Sequence, residues 1–226
     1  MNSVQFNLYK SRYRSAIRRV LSEAEPGRLD EAAFPAYTHA NPLINWLFWQ
    51  RLRIVMSYIQ NVIPIEDILD FGCGSGVMLP FLAQNSKQVT AIDIDLIPIQ
   101  RIQKYYPLES NVQVVDSSKS PLTSLPTHTF DFIIALDVLE HVDDLPRTLS
   151  ELLNLLKPGG QIIVSGPTEN FLYQIGRKIA GREYSGAYHE RGIGEIRTLL
   201  GKYVTIKKIA TLYWPMPLFE IFAGQD

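Results

Sequence analysis

Between residues 69 and 76 the chain reads Leu-Asp-Phe-Gly-Cys-Gly-Ser-Gly, placing glycines at 72, 74 and 76 directly behind an apolar run. Alternate glycines at the exit of a strand let the backbone turn tightly and approach a ligand with no Cβ in between. In an open α/β sheet such a turn borders the crevice at the carboxyl ends of the strands, where ligands bind. A pyrophosphate cradle prefers the spacing G-x-G-x-x-G, with helix N–H groups on the phosphates. Here the spacing is G-x-G-x-G, and an acid, Asp70, stands just ahead of it.

A carboxylate at that position repels a pyrophosphate and attracts a cation, directly or through water. The charge sign therefore favours a sulfonium amino acid over NAD. Further acids follow at matching places. Asp93, in Ala91-Ile92-Asp93-Ile94-Asp95, ends the next apolar run, where a carboxylate can accept from both hydroxyls of a ribose. Asp95 fits better as a cap of the helix that follows. Asp116 ends the third run and can accept from an adenine amino group, while Ser117 offers a backbone N–H to a ring nitrogen. A loop-capping role for Asp116 is the competing reading. Two histidines are candidates for a general base: His141, just past the fourth run, and His189, in a later loop. Packing at a strand–helix turn is the alternative for His141, a surface loop the alternative for His189. His39 and His128 read as loop residues, Glu140 as structural, and Asp143-Asp144 as a helix cap.

These residues need a frame that brings strand ends together, and the hydrophobic pattern supplies one. Short apolar runs at Ile65–Phe71, Val89–Ile94, Val112–Val115, Phe130–Leu136 and Gln161–Ser165 predict strands. Helical patterns lie between them at Val77–Gln84, Leu96–Tyr105 and Asp143–Leu156, the last with Pro146 in its first turn and Lys157-Pro158-Gly159-Gly160 as a stop. Strands alternating with helices imply βαβ units, right-handed crossovers and a doubly wound, Rossmann-like α/β sheet. Ahead of it, residues 8–22 form a basic helix and residues 27–41 a loop. Asn41-Pro42 then opens an aromatic-rich helix, which Pro64 closes. Behind it, helices are expected at Glu169–Ala180 and Ile193–Leu200, with strands at Tyr203–Ala210 and Leu218–Ala223. The expected organisation is a single domain: a helical cap over 1–62, a ligand-binding core over 65–167, and substrate-side helices and strands over 168–226.

Composition narrows the class. The chain has 226 residues, 46% of them hydrophobic and 20% charged, as in an ordinary globular protein. Its net charge of −1 argues against a dedicated nucleic-acid binder. That charge is unevenly spread: residues 1–60 carry net +4, 61–160 net −7 and 161–226 net +2. The lone cysteine, Cys73, excludes a disulfide framework and fits a reducing, cytoplasmic setting. No stretch reads as a membrane span or as a secretory leader. Arg51 and Arg53, with the basic N-terminal segment, could rest on an anionic membrane surface.

The segments LDFGCGSG (69–76), AIDID (91–95), VVDSS (114–118), FDFIIALDVLEHVDD (130–144) and LKPGGQIIVSGP (156–167) follow one another over about 100 residues. In that order they resemble a class I S-adenosylmethionine-dependent methyltransferase of the type 11, ubiquinone-biosynthesis-like group. The resemblance implies a mostly parallel seven-stranded sheet with its last strand antiparallel, and S-adenosyl-L-methionine as cofactor. It implies that Asp70, Gly72, Cys73, Gly74 and Gly76 meet the methionine part. Asp93 with Ile94 would meet the ribose, and Asp116 with Ser117 the adenine. Leu136 and Asp137 would line the cofactor and substrate pocket.

Methyl transfer from a sulfonium is an in-line displacement, so the protein mainly aligns the reactants and excludes water. The Asp-Asn pair of metal-dependent catechol-type methyltransferases does not occur, so no metal is expected. The fourth strand ends Ala135-Leu136-Asp137-Val138, without the Asn/Asp-Pro-Pro-aromatic motif of many amino methylases. The expected acceptor is a small or lipid-like molecule, methylated on oxygen. Trp46, Phe48, Trp49, Tyr173, Tyr184, Tyr188, Tyr213 and Trp214 hint at an apolar pocket, with core packing as their default use. Two other classes stay open: a non-catalytic protein that binds the same cofactor, and, disfavoured by the loop, an NAD-dependent oxidoreductase.

Overall fold

The computed structural model describes residues 2–23, 34–62, 64–168, 192–212 and 217–225. Seven strands form one sheet: β1 (Ile65–Phe71), β2 (Ser86–Asp93), β3 (Val112–Asp116), β4 (Phe130–Leu136), β5 (Leu156–Pro167), β6 (Thr205–Leu212) and β7 (Phe219–Gln225), in the order β3-β2-β1-β4-β5-β7-β6. β1 to β5 are parallel, and β7 runs antiparallel between β5 and β6. The strand order reverses at β1/β4, the place where open α/β sheets leave a crevice.

Both faces of the sheet are covered, which is why its strands read as continuous apolar runs rather than alternating ones. Neighbouring residues point to opposite layers. Ile68, Ile134, Ile163 and Ile221 join one core, Leu69, Ile133, Ile162 and Phe222 the other. The first core is closed by helices α1 (Ser3–Glu23), α3 (Pro42–Gln60), α4 (Leu79–Asn85) and α5 (Ile97–Gln103). The second is closed by α6 (Leu145–Leu155) and α7 (Ile193–Leu200), whose buried leucines and isoleucines recur at helical spacing.

Caps sit where the residue types demand. The Asn41 side chain accepts from the Leu43 N–H at 2.9 Å and opens α3, with Pro42 in the first turn. Asp144 accepts from the Arg147 N–H at 3.1 Å and opens α6.

Three expectations change. The stretch read as a loop up to Asn41 contains a short helix, α2 (Phe34–Thr38), held to α3 where Asn45 and Trp49 both donate to the Tyr37 carbonyl. The Lys-Pro-Gly-Gly stop lies within β5, which begins at Leu156 and shifts register against β4 near Phe130. The N-terminal helix is more than a solvated basic rod: Phe6, Tyr9, Tyr13, Ala16, Ile17 and Val20 form a buried stripe along it. The helix expected at Glu169–Ala180 lies outside the described residues. Among the described residues, no helix is long and apolar enough to cross a membrane.

Candidate active site

Register decides what meets at the crevice. Phe71 pairs with Ile92, Asp93 with Asp116, Leu136 with Ser165 and Pro167 with Phe219. The candidate residues of four strand ends, β1 to β4, therefore lie along one edge of the sheet, with the end of β5 beside them.

The glycine loop leaves β1 with Gly72 and Cys73 both donating to the Ile92 carbonyl, at 2.8 and 3.0 Å. Two of its glycines serve different ends. Gly72 has φ +73°, and a Cβ there would lie 2.3 Å from Val138 Cγ2, so this glycine lets the loop pack on the turn after β4. Gly74 has φ +53°, and a Cβ there would meet nothing within 4 Å. The bare backbone at 74 thus faces open space, as a ligand-approach position should.

Asp93 binds the parts of this edge together. Its Oδ2 accepts from the Gly74 N–H at 2.7 Å and its Oδ1 from the Asp95 N–H at 3.1 Å. Its carbonyl accepts from the Ser117 N–H at 2.9 Å. The Ser117 amide, expected to face a ring nitrogen, is here bonded to the Asp93 carbonyl. Asp95 accepts from the Ile97 N–H at 2.9 Å and supports the start of α5, the capping role expected of it. Ile94 is 78% exposed, leaving an apolar surface beside Asp93.

The Asp116 Oδ1 accepts from the Ser118 N–H and hydroxyl, and its Oδ2 from Lys119. The Lys119 ammonium and the Ser118 hydroxyl hold this carboxyl down at about 2. Asp70 is the opposite case. It is 4% exposed, and burial, with the neighbouring Asp93 charge, pushes its carboxyl up to about 8. Burial also raises the Cys73 thiol well above its ordinary value, which keeps it protonated and unreactive.

On the other side of the switch point, Asp137 follows β4 with φ +54°, a conformation uncommon outside glycine and tolerated by Asp. Its N–H donates to the Ser165 carbonyl at 2.9 Å, and the Ser165 hydroxyl donates to its Oδ1 at 2.9 Å. Its Oδ2 pairs with the Arg51 guanidinium, delivered by α3. Arg51 is 3% exposed and lies between the Phe48 and Phe219 rings, 5.0 and 5.3 Å from their centroids. Arg51 is therefore withdrawn from any membrane-facing surface. Arg53, half-buried, donates to the Ser3 hydroxyl at 2.8 Å.

His141 ends a short 3₁₀ turn at Leu139–His141 and is exposed; Glu140 beside it is buried. His39 and His128 occupy loop positions, as expected, each bonded through Nδ1, to the Asn41 N–H and the Leu156 carbonyl respectively. His189 lies outside the described residues, as do Tyr173, Tyr184, Tyr188, Tyr213 and Trp214. Trp49 is core, Phe48 half-buried beside Arg51, and Trp46 exposed.

Four residues at the crevice escaped the sequence reading: Tyr9, Tyr13, Tyr37 and Arg51, the last considered only as a membrane contact. Tyr9 and Tyr13 donate to the carbonyls of Val77 and Ser75, the latter at 2.5 Å, and so fasten α1 onto the glycine loop. Their i,i+4 spacing within the stripe from Phe6 to Val20 was the available signal.

A family model described as a methyltransferase domain matches residues 9–219. The ubiquinone biosynthesis O-methyltransferase of Xylella fastidiosa is 36% identical over 117 residues, covering 49% of this chain and 46% of that protein. The ubiquinone biosynthesis O-methyltransferase of Azotobacter vinelandii is 30% identical over 174 residues, covering 75% of this chain and 69% of that protein. The chain spans about half the length of the Xylella relative. Among solved structures, the N-methyltransferase NodS of Bradyrhizobium japonicum, in complex with S-adenosyl-L-homocysteine, aligns with a TM-score of 0.60 at 18% identity, covering 95% of this chain and 98% of its own. The plantazolicin methyltransferase BpumL aligns over the whole of both chains with a TM-score of 0.66 at 15% identity, a likeness of fold. The chain belongs to the methyltransferase-domain family, the class that its motifs from residue 69 to residue 167 resemble.

Proposed function

We propose that the protein transfers a methyl group from S-adenosyl-L-methionine to an oxygen of a small or lipid-like acceptor, without a metal. The observation that carries the reading is the Asp93 clasp on Gly74, with Asp70 buried behind it.

The residues present fit the cofactor. A carboxylate offers about four lone-pair sites. At Asp93 two are taken by the Gly74 and Asp95 amides, leaving two for a pair of ribose hydroxyls. At Asp116 three are taken by Ser118 and Lys119, leaving one for an adenine amino group. Asp70 is a buried acid beside the Asp93 carboxylate, a place suited to an ammonium group. Gly74 leaves its backbone open to the amino-acid end, and Ile94 and Leu136 supply apolar surface on either side.

When bound, S-adenosyl-L-methionine supplies a methyl group already activated by its sulfonium. The chain's own task is then to orient and to exclude water. Asp70, Gly72, Cys73, Gly74 and Gly76 hold the amino-acid end, and Asp93 the ribose. Asp137 stands at the acceptor side. His141, exposed in the turn past β4, is the candidate to take a proton from an acceptor hydroxyl, with His189 as the second. Oxygen as the target draws support from the ubiquinone biosynthesis O-methyltransferases among the relatives. We place the protein in the cytoplasm on the strength of its single cysteine, a usage that fits a reducing compartment.

Calorimetry with S-adenosyl-L-methionine, S-adenosyl-L-homocysteine and NAD tests the reading. The first two should bind and NAD should not; absence of binding by both sulfur compounds overturns it. Binding without methyl incorporation from a labelled cofactor, across a cell extract, would leave the non-catalytic alternative.

A further inference from the structure

Arg51 occupies an unusual place for a cation. It sits at the strand-end edge on the β4, β5 and β7 side of the switch point, buried at 3% exposure and outside the set of groups assigned to the cofactor. A guanidinium carries five N–H donors in a planar fork. One terminal nitrogen, Nη1, pairs with Asp137. The other, Nη2, lies 3.4 Å from the Tyr37 hydroxyl, a long contact. Nε is fully buried and has no hydrogen-bond partner among the described residues. The edge formed by Nε and Nη2 is the one that receives an oxygen side-on, and among the described residues its one hydrogen-bond contact is the long one to Tyr37. A buried donor left unpaired costs about 1–3 kcal/mol, so a site of this kind is incomplete without an acceptor atom.

The surroundings define that atom's chemistry. Charge-assisted bonds to an oxyanion are about twice as strong as those to a neutral oxygen. The Phe48 and Phe219 rings stand 5.7 Å apart at 67°, walling the guanidinium with apolar, aromatic surface. The opposite rim is Asp137, fixed by Ser165 and 20% exposed at the strand-end edge. Tyr37, buried beside Asp70, keeps its own proton and competes weakly for the fork.

We infer that Arg51 is the recognition group of the acceptor pocket, selecting an aromatic ring whose reacting hydroxyl binds as the phenolate. This rests on the methyl-transfer reading above and names its substrate class. The proton is left in solvent when the phenolate binds, so a histidine base becomes accessory.

The test uses 4-nitrophenol, whose phenolate absorbs where the phenol does not, with the full chain saturated with S-adenosyl-L-homocysteine. Bound 4-nitrophenol should ionise at least about one pH unit below its value in free solution. Arg51→Gln should bind it about 10–100-fold more weakly and abolish that shift, with Arg51→Lys recovering part of the affinity because it keeps the charge and loses the fork. With phenols as methyl acceptors, the Arg51→Gln loss should fall on KM more than on kcat. Unchanged affinity for S-adenosyl-L-homocysteine shows that the variants are folded; should Arg51→Gln not fold, the ionisation shift in the wild-type protein decides alone. Binding of 4-nitrophenol as the neutral phenol, equal binding by Arg51→Gln, or no binding at all overturns the inference. Failure of the wild-type protein to bind S-adenosyl-L-homocysteine overturns the methyl-transfer reading beneath it.

Discussion

On the β1–β3 side of the crevice, Asp93 is tied to Gly74, Asp95 and Ser117, through two carboxylate oxygens and one carbonyl. Its partners are backbone amides of adjoining turns. On the β4–β7 side, Asp137 is held by Arg51 from a helix far upstream and by a serine 28 residues downstream. The Asp93 carboxylate is satisfied by main-chain amides, the Asp137 carboxylate by side chains, one of them reaching in from α3. A nucleotide-like ligand would ask for one fixed shape, whereas acceptors vary in chemistry. Main-chain loops suit the constant task, and exchangeable side chains the variable one.

The contrast is open to attack at several points. The largest effect should come from Gly72. Gly72→Ala combines a left-handed φ with a clash on Val138 and should cost about 2–5 kcal/mol in chemical denaturation. Gly74→Ala meets no neighbour and should cost only about 1–2 kcal/mol. Equal losses would mean that the loop is not divided between packing and ligand access.

Asp70 gives a pH signature. Its folded-state carboxyl titrates at about 8, while in the unfolded chain it titrates at about 4. Between these values the folded protein keeps a proton that the unfolded chain has released. Stability without ligand should therefore fall as pH rises from about 4 to about 8, by an amount on the order of a few kcal/mol. Asp70→Asn should flatten that slope in thermal scans across pH. Below pH 8, capture of an ammonium-bearing cofactor should also release a proton, seen as a dependence of binding heat on buffer ionisation; its absence places the ammonium elsewhere.

Asp93→Ala should weaken S-adenosyl-L-homocysteine binding by about 1–3 kcal/mol, since charge-assisted bonds to the ribose are lost and Gly74 is released. Ser165→Ala, on the other side, should leave that affinity within twofold. If both variants lose cofactor equally, the crevice has no separate acceptor side. The smallest change is Tyr13→Phe, which deletes one bond to the Ser75 carbonyl and should cost about 1 kcal/mol of stability.

The same division explains what could be read from the sequence. Strands β1 to β5 and the acids at 70, 93 and 116 were legible because strand ends and glycine turns are local signals, spaced along the chain as they are in space. Register did the rest. The Ser117 amide's bond to the Asp93 carbonyl carries no local signal, because that partner lies on a neighbouring strand. Arg51 was read as a surface charge because no local pattern reveals a pairing with Asp137 across the layer. α1 was underestimated for a related reason: five arginines and lysines mask a stripe of buried aromatics, and only the partner face shows which side of the helix matters.

β7 carries a consequence for biogenesis. It is the last of the described strands along the chain, yet it occupies an interior lane of the sheet between β5 and β6. Until it docks, the flank of β5 is an open row of backbone donors and acceptors, and β6 has no neighbour to join. A ribosome-bound chain that has emerged only as far as β6 therefore holds most of a sheet with a sticky side. Phe219, the first residue of β7, also contributes one wall around Arg51, so cofactor-side loops can be complete while the acceptor pocket is still unfinished. Nascent-chain arrest before and after residue 219 should separate the two events in time, with susceptibility to aggregation confined to the earlier stage.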